Sequence, residues 1–256
     1  MKVFLTGASS GIGEALAREY AKRGAGVTLG LFARRESELA RVAASLAPAT
    51  AAIYAGDVRD DDALRRAADD FLTRFGLPDV VIASAGISRG TLTTHREDLP
   101  AFRSVFDTNV IGTIATFQPF VNAMLAARRG TLVGVASVGA FRGLPGAGAY
   151  CGSKAAVVNY LESLRIELRG SGVAVVTLCP GFIDTPLTRG NPYFMPFLTQ
   201  PDVAARRMVR AIADRRAFYV VPWQMGWVGA LMKLAPRPLF DRVLAKRGRK
   251  PRRSGD

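Results

Sequence analysis

Val3-Phe4-Leu5-Thr6-Gly7-Ala8-Ser9-Ser10-Gly11-Ile12-Gly13 places a short apolar run directly before three glycines spaced G-x-x-x-G-x-G. An apolar run without polar alternation predicts a strand covered on both faces. The glycines predict a turn tight enough to lay backbone N–H groups against a phosphate, and apolar positions at helical spacing follow from 14 to 23. The stretch therefore reads strand, turn, helix. A pyrophosphate suits the partial positive charge at such a helix N-terminus. A glycine-rich turn alone says little; its place between the first strand and the first helix is what points to a dinucleotide.

The alternation continues outward as strand 27–32, helix 36–46, strand 51–54, helix 60–75, strand 80–83, a long helix 101–127, strand 131–136, helix 149–169, strand 173–178, helix 202–213 and a last strand 218–221. Right-handed crossovers between such units predict one α/β domain, a Rossmann-type doubly wound parallel sheet of about seven strands with helices on both faces. It spans 1–235 and is followed by a basic C-terminal tail, 236–256. Within it, 187–200 is too rich in Pro and aromatics for a plain connection and reads as a substrate loop. Leu187, Pro192, Tyr193, Phe194, Met195, Pro196 and Phe197 there either line an apolar pocket or pack beneath the loop.

Composition narrows the function. A chain of 256 residues with 49% hydrophobic and 22% charged residues can bury a sizeable core and is not a disordered chain. The net charge of +14 suggests nucleic acid until it is located: about half the excess falls within 233–256. The rest follows helices with paired arginines, such as Arg65-Arg66 and Arg206-Arg207, and reads as solvated helix face. Cys151 and Cys179 form no disulfide framework, and Met1-Lys2 leads straight into a strand pattern, so a cytoplasmic location is expected. His95 is the only histidine, which argues against a multi-histidine metal centre or a Ser-His-Asp triad; no metal is expected. Trp223, Met225, Trp227, Leu231, Met232 and Leu234 precede the basic tail. That segment is too short to span a bilayer, and reads as a peripheral membrane contact, a pocket cover or a subunit interface.

Two further patterns carry chemistry. The second strand ends at Phe32-Ala33 without the acidic residue that would bind the ribose hydroxyls of NAD; Arg34 and Arg35 stand there instead. Guanidinium groups at that turn would pair with a 2′-phosphate, which favours NADP(H) over NAD(H). Tyr150 and Lys154 are spaced to share one face of a helix, downstream of Ser137 at the C-terminal end of a strand, where open α/β sheets bind ligands. Tyrosine ionises near pH 10, about three units too high for a base at neutral pH, so an adjacent ammonium must favour the phenolate.

The Thr6–Gly13 pattern TGxxxGxG, with Ser137 and Tyr150-Cys151-Gly152-Ser153-Lys154, resembles the short-chain dehydrogenase/reductase family over almost the whole chain. The resemblance implies that Tyr150 exchanges a proton with the reacting oxygen, that Ser137 hydrogen-bonds that oxygen, that Lys154 also holds the nicotinamide ribose, and that Asn109 supports a water-mediated relay toward the lysine. It implies cofactor contacts from Gly7, Ser9, Ser10, Gly11, Ile12, Gly13, Asp57, Val58, Ala85, Gly86, Pro180, Gly181, Ile183 and Thr185. Ser84 replaces the family's asparagine and is given no role. The implied activity is interconversion of a carbonyl and a secondary alcohol on a small apolar substrate by an NADP(H)-dependent homodimer or homotetramer. Two other readings stay open: a non-catalytic cofactor-sensing regulator, and an epimerase or dehydratase using the same tyrosine and lysine.

Overall fold

Apolar runs become strands here because helices shield them on both sides. A computed structural model describes residues 1–189, 194–245 and 248–252. Its strands are β1 (Lys2–Thr6), β2 (Thr28–Ala33), β3 (Thr50–Ala55), β4 (Val80–Ala83), β5 (Gly130–Val135), β6 (Val173–Pro180) and β7 (Phe218–Val221), all parallel, in the order β3-β2-β1-β4-β5-β6-β7. The chain crosses over between β3 and β4, so β1 and β4 pair at the centre, Val3 against Val80. Winding reverses there, and a crevice opens along the C-terminal ends of the strands. The expected doubly wound sheet is what forms.

Alternate residues of each strand feed two cores. On one face Val3 and Leu5 pack with Leu16 and Tyr20 of α1 (Gly11–Ala21), Leu39 of α2 (Glu36–Ala44) and Met208 of α7 (Pro201–Ala213). On the other, Phe4 meets Phe71 of α3 (Asp61–Phe75) edge-on at 5.6 Å and Phe120 at 4.9 Å. Each such fully buried ring contributes roughly 1.5–3 kcal/mol of transfer free energy.

The predicted long helix is one helical run with an irregular middle: α4 (Leu99–Phe106), a wider π turn (Asp107–Ile111) and α5 (Gly112–Ala127). The expected helix 14–23 begins earlier, at Gly11, because Ser10 takes the extended N-cap conformation and the turn's last glycines already belong to α1. The next long helix, α6 (Gly148–Glu167), carries the Tyr-Lys pair in its first turns.

Beyond β7, α8 (Gln224–Leu234) buries Met225 and Gly229 inward while Trp223, Trp227, Leu231 and Leu234 are 63, 74, 72 and 82% exposed, one outward row. A short α9 (Arg237–Ala245) follows. The chain then returns to the domain: Lys250 N donates to Pro145 O at 3.2 Å, and Arg252 pairs with Glu97 and Asp98. The basic segment is thus divided, part facing outward and part folded onto the crevice side.

Candidate active site

The turn after β1 is compressed against the turn after β4. Gly7 has φ +71°, and a Cβ placed on it would stand 2.7 Å from Ala85 N; one on Gly13 would stand 2.1 Å from Gly7 O. Only glycine permits both approaches. The result is a cleft of about 560 Å³ along the C-terminal strand ends. Every residue expected to hold a dinucleotide lines it, apart from Asn109: Gly7, Ser9, Ser10, Gly11, Ile12, Gly13, Arg34, Arg35, Asp57, Val58, Ala85, Gly86, Tyr150, Lys154, Pro180, Gly181, Ile183 and Thr185, with Ser137. This cradle, floored by glycines that a side chain would fill, fits the elongated cofactor that the sequence implied.

At one end, Arg35 Nη2 donates to Ser10 Oγ at 3.2 Å and Ser9 Oγ at 3.4 Å, and Arg34 lies beside it on the cleft wall. Asp57 is held well below the usual carboxylate range, first by the Arg59 guanidinium, which donates to Oδ2 at 2.7 Å. Its carboxylate is therefore a fixed anion at neutral pH, oriented by a neighbour two residues along.

At the other end, α6 presents Tyr150 and Lys154 toward β5. Lys154 Nζ is buried and donates to Val135 O at 2.8 Å. Ser137 accepts from Gly139 N at 3.1 Å, and a Cβ on Gly139 would stand 3.4 Å from Ser137 Oγ and 3.3 Å from Tyr150 Cε1. The serine hydroxyl and the tyrosine ring thus flank one small space. Asn109 is fully buried behind the wall, within the π turn. Its Oδ1 accepts from Ile87 N at 2.8 Å, and its Nδ2 donates to Ile87 O at 3.0 Å and Ser153 Oγ at 2.9 Å. Ser153 in turn donates to Tyr150 O at 2.8 Å. The asparagine therefore clamps the post-β4 loop to the helix that carries Tyr150.

A model of the short chain dehydrogenase family matches residues 1–193. The chain belongs to the short-chain dehydrogenases. This short-chain dehydrogenase is 38% identical over 237 residues to an uncharacterized oxidoreductase of Myxococcus xanthus (strain DK1622), 93% of each chain. It is 38% identical over 195 residues to 11-beta-hydroxysteroid dehydrogenase 1A of Arabidopsis thaliana, covering 75% of this chain and 54% of the plant protein, about half of that relative's length. An alcohol dehydrogenase from the archaeon Thermococcus sibiricus, solved in complex with 5-hydroxy-NADP, resembles it with a TM-score of 0.75 at 25% identity, over 86% of this chain and 95% of that one. By family, this short-chain dehydrogenase is an oxidoreductase.

Sequence reasoning missed Ile87, Thr108, Pro186 and Thr188, which also line the cleft. Thr188 fastens the turn after β6: its hydroxyl donates to Ile183 O and accepts from Thr185 N at 3.0 Å. The signal was a threonine three residues beyond Thr185, the spacing of a side-chain-closed turn. In the expected substrate loop, Phe194 and Phe197 are 80 and 50% exposed rather than packed beneath it, while Pro192 and Tyr193 lie outside the described residues. The loop's base is tied by Asp184 N to Thr199 O at 3.0 Å and Thr199 N to Phe182 O at 2.9 Å. Cys151 and Cys179 are buried free thiols, and no metal-binding cluster occurs among the described residues.

Burial pulls the Lys154 ammonium down to about 8 from 10.5. Between those values the folded protein releases a proton that the unfolded chain keeps, so stability rises with pH across the window; below pH 8 the folded state carries the whole cost of the buried charge. Cys179, raised by burial to about 12, acts oppositely from its ordinary 9 upward. The range from pH 8 to 9 isolates the lysine. There the thermal midpoint of the ligand-free protein should rise by about 2–4 °C relative to Lys154→Met, corresponding to about 1 kcal/mol. Parallel midpoint curves in scanning calorimetry would show that no charge is buried.

Proposed function

We propose that this oxidoreductase uses NADP(H) to interconvert a carbonyl and a secondary alcohol on a small, largely apolar molecule. The observation that carries the reading is the convergence of Ser137, Tyr150 and Lys154 at one end of a cleft whose other end is walled by Arg34 and Arg35. When bound, the nicotinamide supplies or accepts the hydride. Tyr150 then delivers a proton to the carbonyl oxygen in reduction and removes one from the alcohol in oxidation. The Lys154 ammonium favours the phenolate by charge, and Ser137 fixes the reacting oxygen by a hydrogen bond. Asn109 holds the Ile87 loop and α6 in register so that these groups meet. Its direct bonds support a clamping role, and the proton relay toward Lys154 would run alongside it.

Arg34 and Arg35 would pair with a 2′-phosphate, and Ser9 and Ser10, already bonded to Arg35, complete a pocket of donors for it. Calorimetric titration tests this. Arg34→Ala/Arg35→Ala should weaken NADPH binding by about 10–100-fold, or 1.4–2.8 kcal/mol, and leave NADH binding nearly unchanged. Equal loss for both nucleotides would show that the arginines act on the fold and not on the phosphate. Absence of binding of either nucleotide to the folded wild type would mean that the dinucleotide motifs are vestigial and would overturn the reading. We take the enzyme to be a cytoplasmic homodimer or homotetramer; Ile111 and Ile166, 49 and 61% exposed on the two long helical runs, support self-association there.

A further inference from the structure

The carbonyl-alcohol reading leaves the outward row of α8 unexplained, and that row is held in place from behind. A Cβ on Gly229 would stand 1.9 Å from the Phe141 ring, so the helix lies flush on that ring and cannot roll its exposed side inward. Arg142 fixes the far end, its Nη1 donating to Met232 O at 2.9 Å and Ala235 O at 3.2 Å. Trp223, Trp227, Leu231 and Leu234 succeed one another at helical spacing, a stripe about 16 Å long that faces away from the domain. With 11 residues, α8 has about half the length needed to cross a bilayer.

Beside the stripe the charge is predominantly positive. A shallow depression of about 240 Å³ is lined by Trp223, by Arg207 and Arg210 of α7, and by Arg216, Asp214 and Tyr219. Arg216 answers Asp214 at 3.6 Å, which leaves the two α7 guanidinium groups in excess. Among the described residues no carboxylate pairs with either of them, whereas Arg206 on the same helix reaches Asp202 at 3.8 Å. The next helix repeats the combination. Leu239 and Val243 of α9 are exposed one turn apart, with Arg242 at their flank and Asp241 on the far side of the helix.

The partner must suit both chemistries. A second copy of this chain, meeting the stripe through a two-fold axis, would bring the same arginines against these. An uncharged apolar partner would leave them unanswered. An anionic bilayer offers acyl chains to the leucines, its interface to the indoles and its phosphates to the arginines. We propose that α8, together with Arg207 and Arg210, docks the domain on the surface of an anionic phospholipid bilayer, lying in the interface without spanning it. The inference is independent of the cofactor and of the substrate.

The test mixes full-length protein at low salt with vesicles of equal parts phosphatidylglycerol and phosphatidylcholine, and with vesicles of phosphatidylcholine alone. Trp223 and Trp227 are the chain's two tryptophans, so indole emission reports the contact directly and should move to shorter wavelength. The protein should float with the anionic vesicles and bind them at least about tenfold tighter than the neutral ones. Arg207→Ala/Arg210→Ala should weaken anionic binding by about 10–30-fold, near fivefold for each charge removed. Trp227→Ser/Leu231→Ser should weaken it by at least about tenfold. Both variants replace exposed side chains, so circular dichroism and the thermal midpoint should match the wild type. No flotation, equal affinity for the two compositions, or flotation that survives Trp227→Ser/Leu231→Ser would each overturn the proposal, the last by placing the contact elsewhere on this basic chain. Sedimentation without lipid should give the same oligomeric state for wild type and both variants. A smaller oligomer in Trp227→Ser/Leu231→Ser would overturn it by making the stripe a subunit interface. An emission shift produced by duplex DNA and not by vesicles would overturn it by making the arginines a nucleic-acid contact.

Discussion

Tyr150→Phe is expected to lower turnover by about 10²–10⁴-fold while NADPH affinity stays unchanged. Phenylalanine keeps the ring beside Gly139 and the cation of Lys250 but removes the hydroxyl that the proposed proton transfer uses. The lost quantity is proton transfer in the transition state, so kcat and kcat/KM should fall together. Steady-state rates with a reducible ketone, paired with NADPH titration, separate this from misfolding. Turnover within tenfold of the wild type would mean that the proton travels by another group, and would turn attention to the dehydratase or epimerase alternative.

The second large effect is expected from a single methyl group. In Gly13→Ala the added carbon would lie 2.1 Å from Gly7 O, backbone against backbone, so α1 must shift away from the turn after β1. Overpacking of this kind costs about 1–3 kcal/mol. The shift also moves the helix N-terminus from the position where a pyrophosphate would sit, so NADPH affinity should drop by at least about tenfold. Gly26→Ala is the control: nothing stands within 4 Å of its added carbon, and its φ lies outside the left-handed region. That change should be neutral or stabilise by about 0.4–1 kcal/mol through the unfolded chain. Urea denaturation of the two variants together checks the contrast. Similar losses in both would mean that the turn tolerates a side chain.

How much of the molecule is legible in its chain depends on the range of the interaction. Strand runs such as Val80–Ala83 are wholly buried and could be read without alternation, because helices cover both faces. The glycine turn and the Tyr150-Lys154 spacing are local and equally plain. The clamp made by Asn109 was not: its partners, Ile87 and Ser153, come from a loop and another helix, and spacing carries no trace of them. The only warning was an asparagine in a helix interior, which disfavours a regular helix, and the π turn is found there. The division of the basic tail was hidden for a similar reason. Lysines and arginines in a row look alike, and nothing local tells that Arg252 belongs to Glu97 and Asp98, far back in the sequence. Charge counting treated as one cluster what the fold divides between the crevice and the outer face.

The wide turn at Asp107–Ile111 also acts as a phase adjuster. Each residue of a regular helix advances the side-chain direction by about 100°. A π turn accommodates one residue more than a regular turn, so it resets the angular relation between the helical segments on its two sides. Here the upstream half, α4, rests on α6, while the downstream half, α5, must aim Phe117, Phe120 and Met124 at the sheet. Asn109 has to point between them. Deleting one residue from this segment would give a more regular helix, yet it would swing either the sheet-facing rings or the clamp out of alignment. The irregularity is what allows one rod to serve the hydrophobic core and the reaction centre in different directions.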